Sequence, residues 1–196
     1  MTNTERSPEI QQMQVQTTTI EGLYLITMKQ ISESRGTIRE YYRESAFTAA
    51  EIKGFGPWKQ INVTQTRQGA IRGLHGENMQ KLIAIVEGEA FGVYVDMRDE
   101  SPSRGVVYST TLSKGTQVLV PKGVCNGFQS TSGGMSQYLY CFDAEWEAGM
   151  SGHSINPLDP ELGITWPIPV TESDYELVSR KDASAPSLRE ALSKRD

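Results

Sequence analysis

The sequence predicts an all-β protein, a sandwich or barrel, and three observations carry that expectation. Short runs rich in Val, Ile, Tyr and Thr recur roughly every ten residues, the spacing of strands joined by tight connections. The breaks between them hold many of the chain's 18 glycines. Runs such as Leu82–Val86 (LIAIV) are apolar at both alternating positions, as expected of strands covered on both faces.

In order along the chain, residues 1–15 read as a flexible polar arm and residues 16–196 as a single domain. Ile20–Ile31 (IEGLYLITMKQI) is apolar enough for a strand. Arg43–Ile52 (RESAFTAAEI) has a short helical pattern, with Ser45 as its N-cap. Ala70–His75 reads as a strand end, followed by a tight turn and a return strand from Lys81, a hairpin that would bring Lys81 back toward His75. Further strands are expected in Glu89–Arg98, Val106–Leu112, Gln117–Pro121, Gly127–Ser132 and Ser136–Asp143. The tail from Ser184 reads as a final helix, because Ser187 and Glu190 have the S-x-x-E spacing of a capping box.

Composition removes several function classes. The net charge is -5, from 19 basic and 24 acidic residues, which argues against a nucleic-acid partner. A few local arginines could still bind a small anion. No apolar run approaches the ~18–20 residues that span a bilayer. The start of the chain is polar and lacks a secretory signal, so a cytoplasmic location and no membrane partner are expected. Cys125 and Cys141 sit in apolar contexts outside any C-x-x-C pair and read as buried free thiols.

Chemistry then centres on Arg72–Lys81 (RGLHGENMQK), which holds one of the 2 histidines. His75 could be a metal ligand, a buried hydrogen-bonding group or a base. Gly115, Pro121, Gly123 and Asn126 fit the second motif of the cupin barrels, G-x5-P-x-G-x2-H, with asparagine at the histidine position. The first cupin motif needs H-x-H, whereas His75 stands alone and His153 lies in a turn-like polar context, so no metal is expected. Phosphate-cradling glycine loops and a G-x-S-x-G elbow are absent. A histidine near a lysine suits abstraction of a proton beside a carbonyl: the imidazole takes the proton and the cation stabilises the enolate oxygen. Such a base needs a carboxylate on its other ring nitrogen and an acid on the opposite side, a role tyrosine can fill.

RGLH with a following lysine, VDMRDESPSRG, VPKGVCNGF, YLYCFD, LDPELGITWP and SRKDASAP occur in that order. With them the sequence resembles the dTDP-4-keto-6-deoxy-D-glucose 3,5-epimerase family of deoxysugar biosynthesis, from about Ile20 to Leu192. The resemblance implies a metal-free cupin, or jelly-roll, barrel with a few short helices, one of them C-terminal, and no cofactor. It implies a homodimer in which the N-terminal segment pairs with the neighbouring subunit. The base maps onto His75, its carboxylate partner onto Asp182, the tyrosine acid onto Tyr140 and the enolate-stabilising lysine onto Lys81. Arg72 and Arg35 map onto pyrophosphate ligands, and Glu40, Gln60 and Asn62 onto polar positions near the nucleotide or sugar.

Three departures concern recognition of the substrate, a dTDP-4-keto-6-deoxyhexose by resemblance. The segment between His75 and Lys81 is short. Asn126 replaces a family histidine assigned to the phosphates, and an amide carries no charge. Thr37–Arg39 replaces an aromatic run, leaving Trp146 to supply a stacking face. Two other functions fit the same parts: a non-catalytic sugar-nucleotide-binding cupin, and a 3,4-ketoisomerase.

Overall fold

A computed structural model of the chain describes residues 7–52 and 55–194. Antiparallel strands form three sheets. The larger main sheet runs in the order β2 (Gln14–Thr17), β3 (Tyr24–Thr27), β11 (Thr116–Val120), β8 (Lys81–Glu87), β13 (Met135–Phe142), β6 (Gln60–Arg67). The second runs β10 (Val107–Ser113), β9 (Glu89–Asp96), β12 (Val124–Ser130), β7 (Ile71–Glu77), β14 (Gly152–Ser154). A smaller sheet joins β1 (Glu9–Gln11), β4 (Lys29–Glu33) and β5 (Gly36–Glu40). Two facing sheets, with the chain crossing repeatedly between them from β6 to β14, make the expected jelly roll.

Alternation along β8 explains its doubly apolar sequence. Ile83 and Ile85 point inward and pack with Tyr94, Val118, Phe128 and Tyr138 between the main sheets. Leu82 points outward and meets Ile26 and Phe47. Phe47 comes from the short helix α1 (Glu44–Ala49), which covers that face. The outer face of the second sheet, with Leu74, Val93 and Cys125, is covered by the C-terminal segment through Ile155, Leu162 and Leu188. Both cysteines are buried and free. Ser187 caps α3 (Leu188–Ser193) by the expected reciprocal bonds with Glu190. No helix among the described residues is long and apolar enough to cross a membrane.

Several local expectations are corrected. Ile20–Ile31 is not one strand; it is broken at Met28, whose N–H donates to Gly115 O at 2.8 Å. Arg43, not Ser45, occupies the N-cap of α1, with no side-chain cap bond. His153 lies in strand β14, opposite Gly76, rather than in a turn. The expected arm, whose first six residues lie outside the described part, is in strand pairing from Glu9, through β1 with β4 and β2 with β3. The largest correction concerns β7 and β8. They are not a hairpin: β7 belongs to the second sheet and β8 to the larger one, so the short Asn78–Gln80 link crosses between sheets.

A buried carboxylate ties the β9–β10 connection. Asp96 accepts from Arg98 Nε at 2.8 Å and Nη2 at 2.7 Å, from Ser101 Oγ at 2.5 Å and from Ser103 Oγ at 2.6 Å. Burial alone would raise its carboxyl, but the guanidinium and hydroxyls outweigh that and hold it at about 2. A depressed folded value stabilises the protein above the unfolded value of ~3.9 and loses that stabilisation as pH falls through the folded one. Resistance to urea should therefore fall as the pH is lowered from about 4 to about 2. Asp96→Asn should flatten that dependence and cost on the order of 3 kcal/mol at pH 7, since it strands a partly buried guanidinium.

Candidate active site

A cavity of about 740 Å³ opens at one end of the sandwich, between the two main sheets. Strand β7 supplies two of its walls' polar side chains, Arg72 and His75, although a spacing of three should place them on opposite faces. A bulge resolves this. Asn126 pairs with His75 and Phe128 with Arg72, so β7 advances three residues while β12 advances two. The bulge needs Gly73: its φ is 111°, and a Cβ there would lie 2.7 Å from Asn126 O and from Gly127 Cα. Arg72 and His75 thereby both face the cavity while Leu74 enters the outer core.

His75 Nε2 lies 2.7 Å from Asp182 Oδ1, a residue 107 positions away. Asp182 sits in α2 (Arg180–Ala183), whose N-cap hydroxyl, Ser179 Oγ, accepts from Asp182 N at 3.1 Å. Burial pushes the Asp182 carboxyl up, but the bond and charge of His75, with help from Ser179 and the Gly73 backbone, bring it below the usual carboxylate range. An ionised carboxylate only accepts, so Nε2 carries the imidazole proton and Nδ1 is left as the basic nitrogen.

Lys81 starts β8 and is only 4% exposed. Its ammonium donates to Glu77 Oε2 at 2.5 Å, Asn126 Oδ1 at 2.7 Å and His75 O at 3.3 Å. The crossing between sheets places it beside the base more firmly than a hairpin would, because it is anchored on both sheets at once. Burial raises the Glu77 carboxyl, yet the charge and hydrogen bond of Lys81 outweigh this and leave it below its ordinary value.

Tyr140 faces the same cavity from β13, in an inward row with Tyr138 and Phe142 at ring separations of 4.8 and 5.6 Å. Burial pushes its phenol well up, with only partial relief from the Arg72 charge, so it is protonated at neutral pH.

The structure gathers some of the expected recognition residues and not others. Arg72, Asn62, Asn126 and Trp146 line the cavity. Arg72 Nε donates to Thr66 Oγ1 at 2.9 Å. Gln60 stands behind the wall: its Oε1 accepts from Trp146 N at 2.7 Å and its Nε2 donates to Asn62 Oδ1 at 3.3 Å. Asn126 has its carbonyl committed to Lys81. Arg35 and Glu40 do not line this cavity; they lie on and beside β5 of the small sheet, paired with Glu33 and Arg43.

Sequence reasoning missed Glu77 and Lys181, though both adjoin motifs it singled out, two residues after His75 and one before Asp182. It also missed Arg67 and Glu176, which pair at 2.8 Å on the cavity wall. Those pairs leave a simple charge balance. Lys81 is matched by Glu77 and Arg67 by Glu176, while the Asp182 carboxylate is hydrogen-bonded to the uncharged His75 ring. Among the described residues lining the cavity, Arg72 and Lys181 have no carboxylate partner. Two cations outside any ion pair suit an anionic group such as a diphosphate diester. Among the described residues no group of three or more His, Cys, Asp or Glu is placed to hold a metal.

Comparison with known proteins identifies a family. The family model for dTDP-4-dehydrorhamnose 3,5-epimerase matches residues 17–190. A dTDP-4-dehydrorhamnose 3,5-epimerase of Salmonella typhimurium is 34% identical over 182 residues, 89% of this chain and 95% of that one. A dTDP-4-dehydro-6-deoxyglucose 3-epimerase of Streptomyces bikiniensis is 33% identical, covering 82% of this chain and 81% of its own. Among solved structures, NovW, a 4-keto-6-deoxy sugar epimerase from the novobiocin gene cluster of Streptomyces spheroides, superposes with a TM-score of 0.84 at 28% identity, over 96% of this chain and 94% of its own. The Legionella pneumophila epimerase RmlC, in complex with dTDP-4-keto-L-rhamnose, does so with a TM-score of 0.81 at 29% identity, over 94% and 100%. The chain therefore belongs to the dTDP-4-dehydrorhamnose 3,5-epimerase family, a family of carbohydrate isomerases in deoxysugar biosynthesis.

Proposed function

We propose that the chain inverts C3, C5 or both in a dTDP-4-keto-6-deoxyhexose. One observation carries this reading: the His75–Asp182 pair, at 2.7 Å, shares a cavity with Lys81 and Tyr140. His75 Nδ1 removes a proton from a carbon beside the C4 ketone, and the C–H electron pair moves into the enolate. Lys81 stabilises the charge that collects on the ketone oxygen. Tyr140 returns a proton to the opposite face of the carbon, inverting it, and is reprotonated from solvent, while His75 gives up to solvent the proton it took. The ketone itself acidifies the neighbouring C–H groups, so no redox step is needed. Arg72 and Lys181 hold the diphosphate, and Trp146 offers a face to the base. The bound dTDP-sugar in the Legionella relative supports this choice of ligand.

The same reading includes a homodimer with exchange of N-terminal strands, at work in the cytoplasm. The small sheet exposes Ile10 and Ile38 at 54% and 66%, an apolar surface suited to a second copy. Arg35 and Glu40 on that sheet would then serve the neighbouring subunit's cavity, which accounts for their distance from their own.

Incubation with dTDP-4-keto-6-deoxyglucose in D2O, followed by NMR, tests the function. Deuterium at C3, C5 or both with inversion supports it. A ketone moved to C3, or binding without exchange across a panel of such sugars, would overturn it in favour of the ketoisomerase or the silent binder. Tyr140→Phe should separate the two half-reactions. Loss of a general acid costs about 10²–10⁴ in rate, so inversion should fall by that factor while His75 still exchanges the proton on its own side. Equal loss of exchange and inversion would remove Tyr140 from the acid role.

A further inference from the structure

We propose that Glu77 is a positioning residue for this reaction: its carboxylate, with the Asn126 carbonyl, keeps the Lys81 ammonium charged and aims its third N–H at the substrate's ketone oxygen. The assignment of that N–H to the ketone rests on the function proposed above; the hold of Glu77 on Lys81 does not.

An ammonium has three N–H donors, and Lys81 meets three acceptors. Two contacts are short, 2.5 Å to Glu77 and 2.7 Å to Asn126. The third, to the backbone oxygen of His75, is 3.3 Å. That bond is the one a ligand can displace, because an oxygen gaining negative charge is a better acceptor than a neutral amide carbonyl. Its acceptor is the backbone oxygen of the residue that carries the base, so its release frees one donor in the cavity that Lys81 and His75 both line. The two short bonds come from neighbouring strands of the second sheet, Glu77 at the end of β7 and Asn126 on β12, and two fixed acceptors restrict how the ammonium can turn.

The charge argument is separate. The titratable groups nearest Lys81 are Glu77 and His75 from β7 and Cys125 from β12, with Tyr140 of β13 lining the same cavity; the Asp143 carboxylate accepts from Gln80 N and pairs with Lys122 instead. Burial lifts the Cys125 thiol to about 12 and raises the Tyr140 phenol, so both are neutral at pH 7. The His75 imidazole has Asp182 as its own carboxylate. Glu77 is therefore the anion that matches Lys81. Without it a nearly buried cation would face only neutral dipoles, and desolvation would favour loss of its proton. An uncharged amine is a far weaker oxyanion donor.

Two variants and two readouts test this. Glu77→Gln keeps size and one acceptor but removes the charge; Glu77→Asp keeps the charge and withdraws it by one methylene. The Lys81 side chain is followed by NMR on lysine-labelled protein, its signal identified by its absence in Lys81→Met. In Glu77→Gln, where the paired carboxylate charge is gone, the ammonium should lose its proton at a lower pH than in the wild type. At pH 8 kcat should drop at least about 10-fold with KM changed less than about threefold, and part of the loss should return at pH 6, where the ammonium re-forms. Glu77→Asp should titrate near the wild type yet still lose kcat through misplacement. Lys81 titrating at the same pH in the wild type and Glu77→Gln would overturn the charge assignment, and full kcat in both variants would overturn the positioning one. Absence of proton exchange in the wild type would instead overturn the epimerase function, while the lysine titration would still decide the role of Glu77.

Discussion

Replacing His75 by asparagine should lower kcat by about 10³- to 10⁴-fold, the range for removing a general base. Asparagine is smaller than histidine and is tolerated at an extended position, so the bulge at Gly73 and the cavity wall should survive. What disappears is a nitrogen that binds a proton at neutral pH. Because Asp182 is held below the usual carboxylate range, it is ionised at working pH and fixes the proton on Nε2 of the wild-type ring. The basic Nδ1 has no counterpart in the variant. Deuterium exchange at the sugar carbons and overall turnover should therefore vanish together, while dTDP affinity, carried by Arg72 and Lys181, stays within a few-fold. Exchange persisting in His75→Asn at more than a tenth of the wild-type rate would place the base elsewhere.

Lys81→Met should cost about 10²–10³ in kcat, the effect of losing one donor to a developing oxyanion, with little change in KM. Methionine fills the space of the lysine stem, so packing at the start of β8 should be kept. The cost to stability falls on Glu77, left half-buried without a counter-charge. Its carboxyl, now lowered by Lys81, should rise in the variant, because burial is then the dominant influence. A raised carboxyl value reverses the usual sign: the variant should be least stable at neutral pH and recover as the pH is lowered and Glu77 is protonated. Adding Glu77→Gln should restore thermal stability without restoring activity. Recovery of both would mean that Lys81 acts only by neutralising Glu77 and not on the substrate.

These expectations draw unequally on sequence and on coordinates. The strand pattern was legible because alternation is local: Leu82–Val86 shows in five letters that both faces of β8 are covered. The capping box at Ser187 and Glu190 was legible for the same reason. The pairing of β7 and β8 was misread because a short link between two strands looks alike whether they join one sheet or two. Local sequence holds no signal for which sheet a strand enters. Ser45 has the residue type of a cap, but the chain turns into the helix two residues earlier, at Arg43. Among recognition residues, Arg35 and Glu40 were placed near the ligand by motif alone, and in the structure they lie on a separate small sheet. Glu77 was overlooked because a carboxylate in a polar turn reads as solvated until the ammonium above it is seen.

By itself, the sequence settled the kind of chemistry available: a barrel of short strands, one histidine beside an arginine, a lysine six residues on, a tyrosine and an aspartate in recognisable motifs. Those are matters of composition and order, which a linear text carries in full. Only the tertiary structure decided that Asp182 meets His75 across 107 positions. It also decided that a glycine bulge turns Arg72 and His75 to the same side, and that Lys81 spends its donors on Glu77 and Asn126. Such meetings depend on strand register and on which sheet each strand joins. Both are set by burial of the whole apolar pattern at once rather than by any one segment.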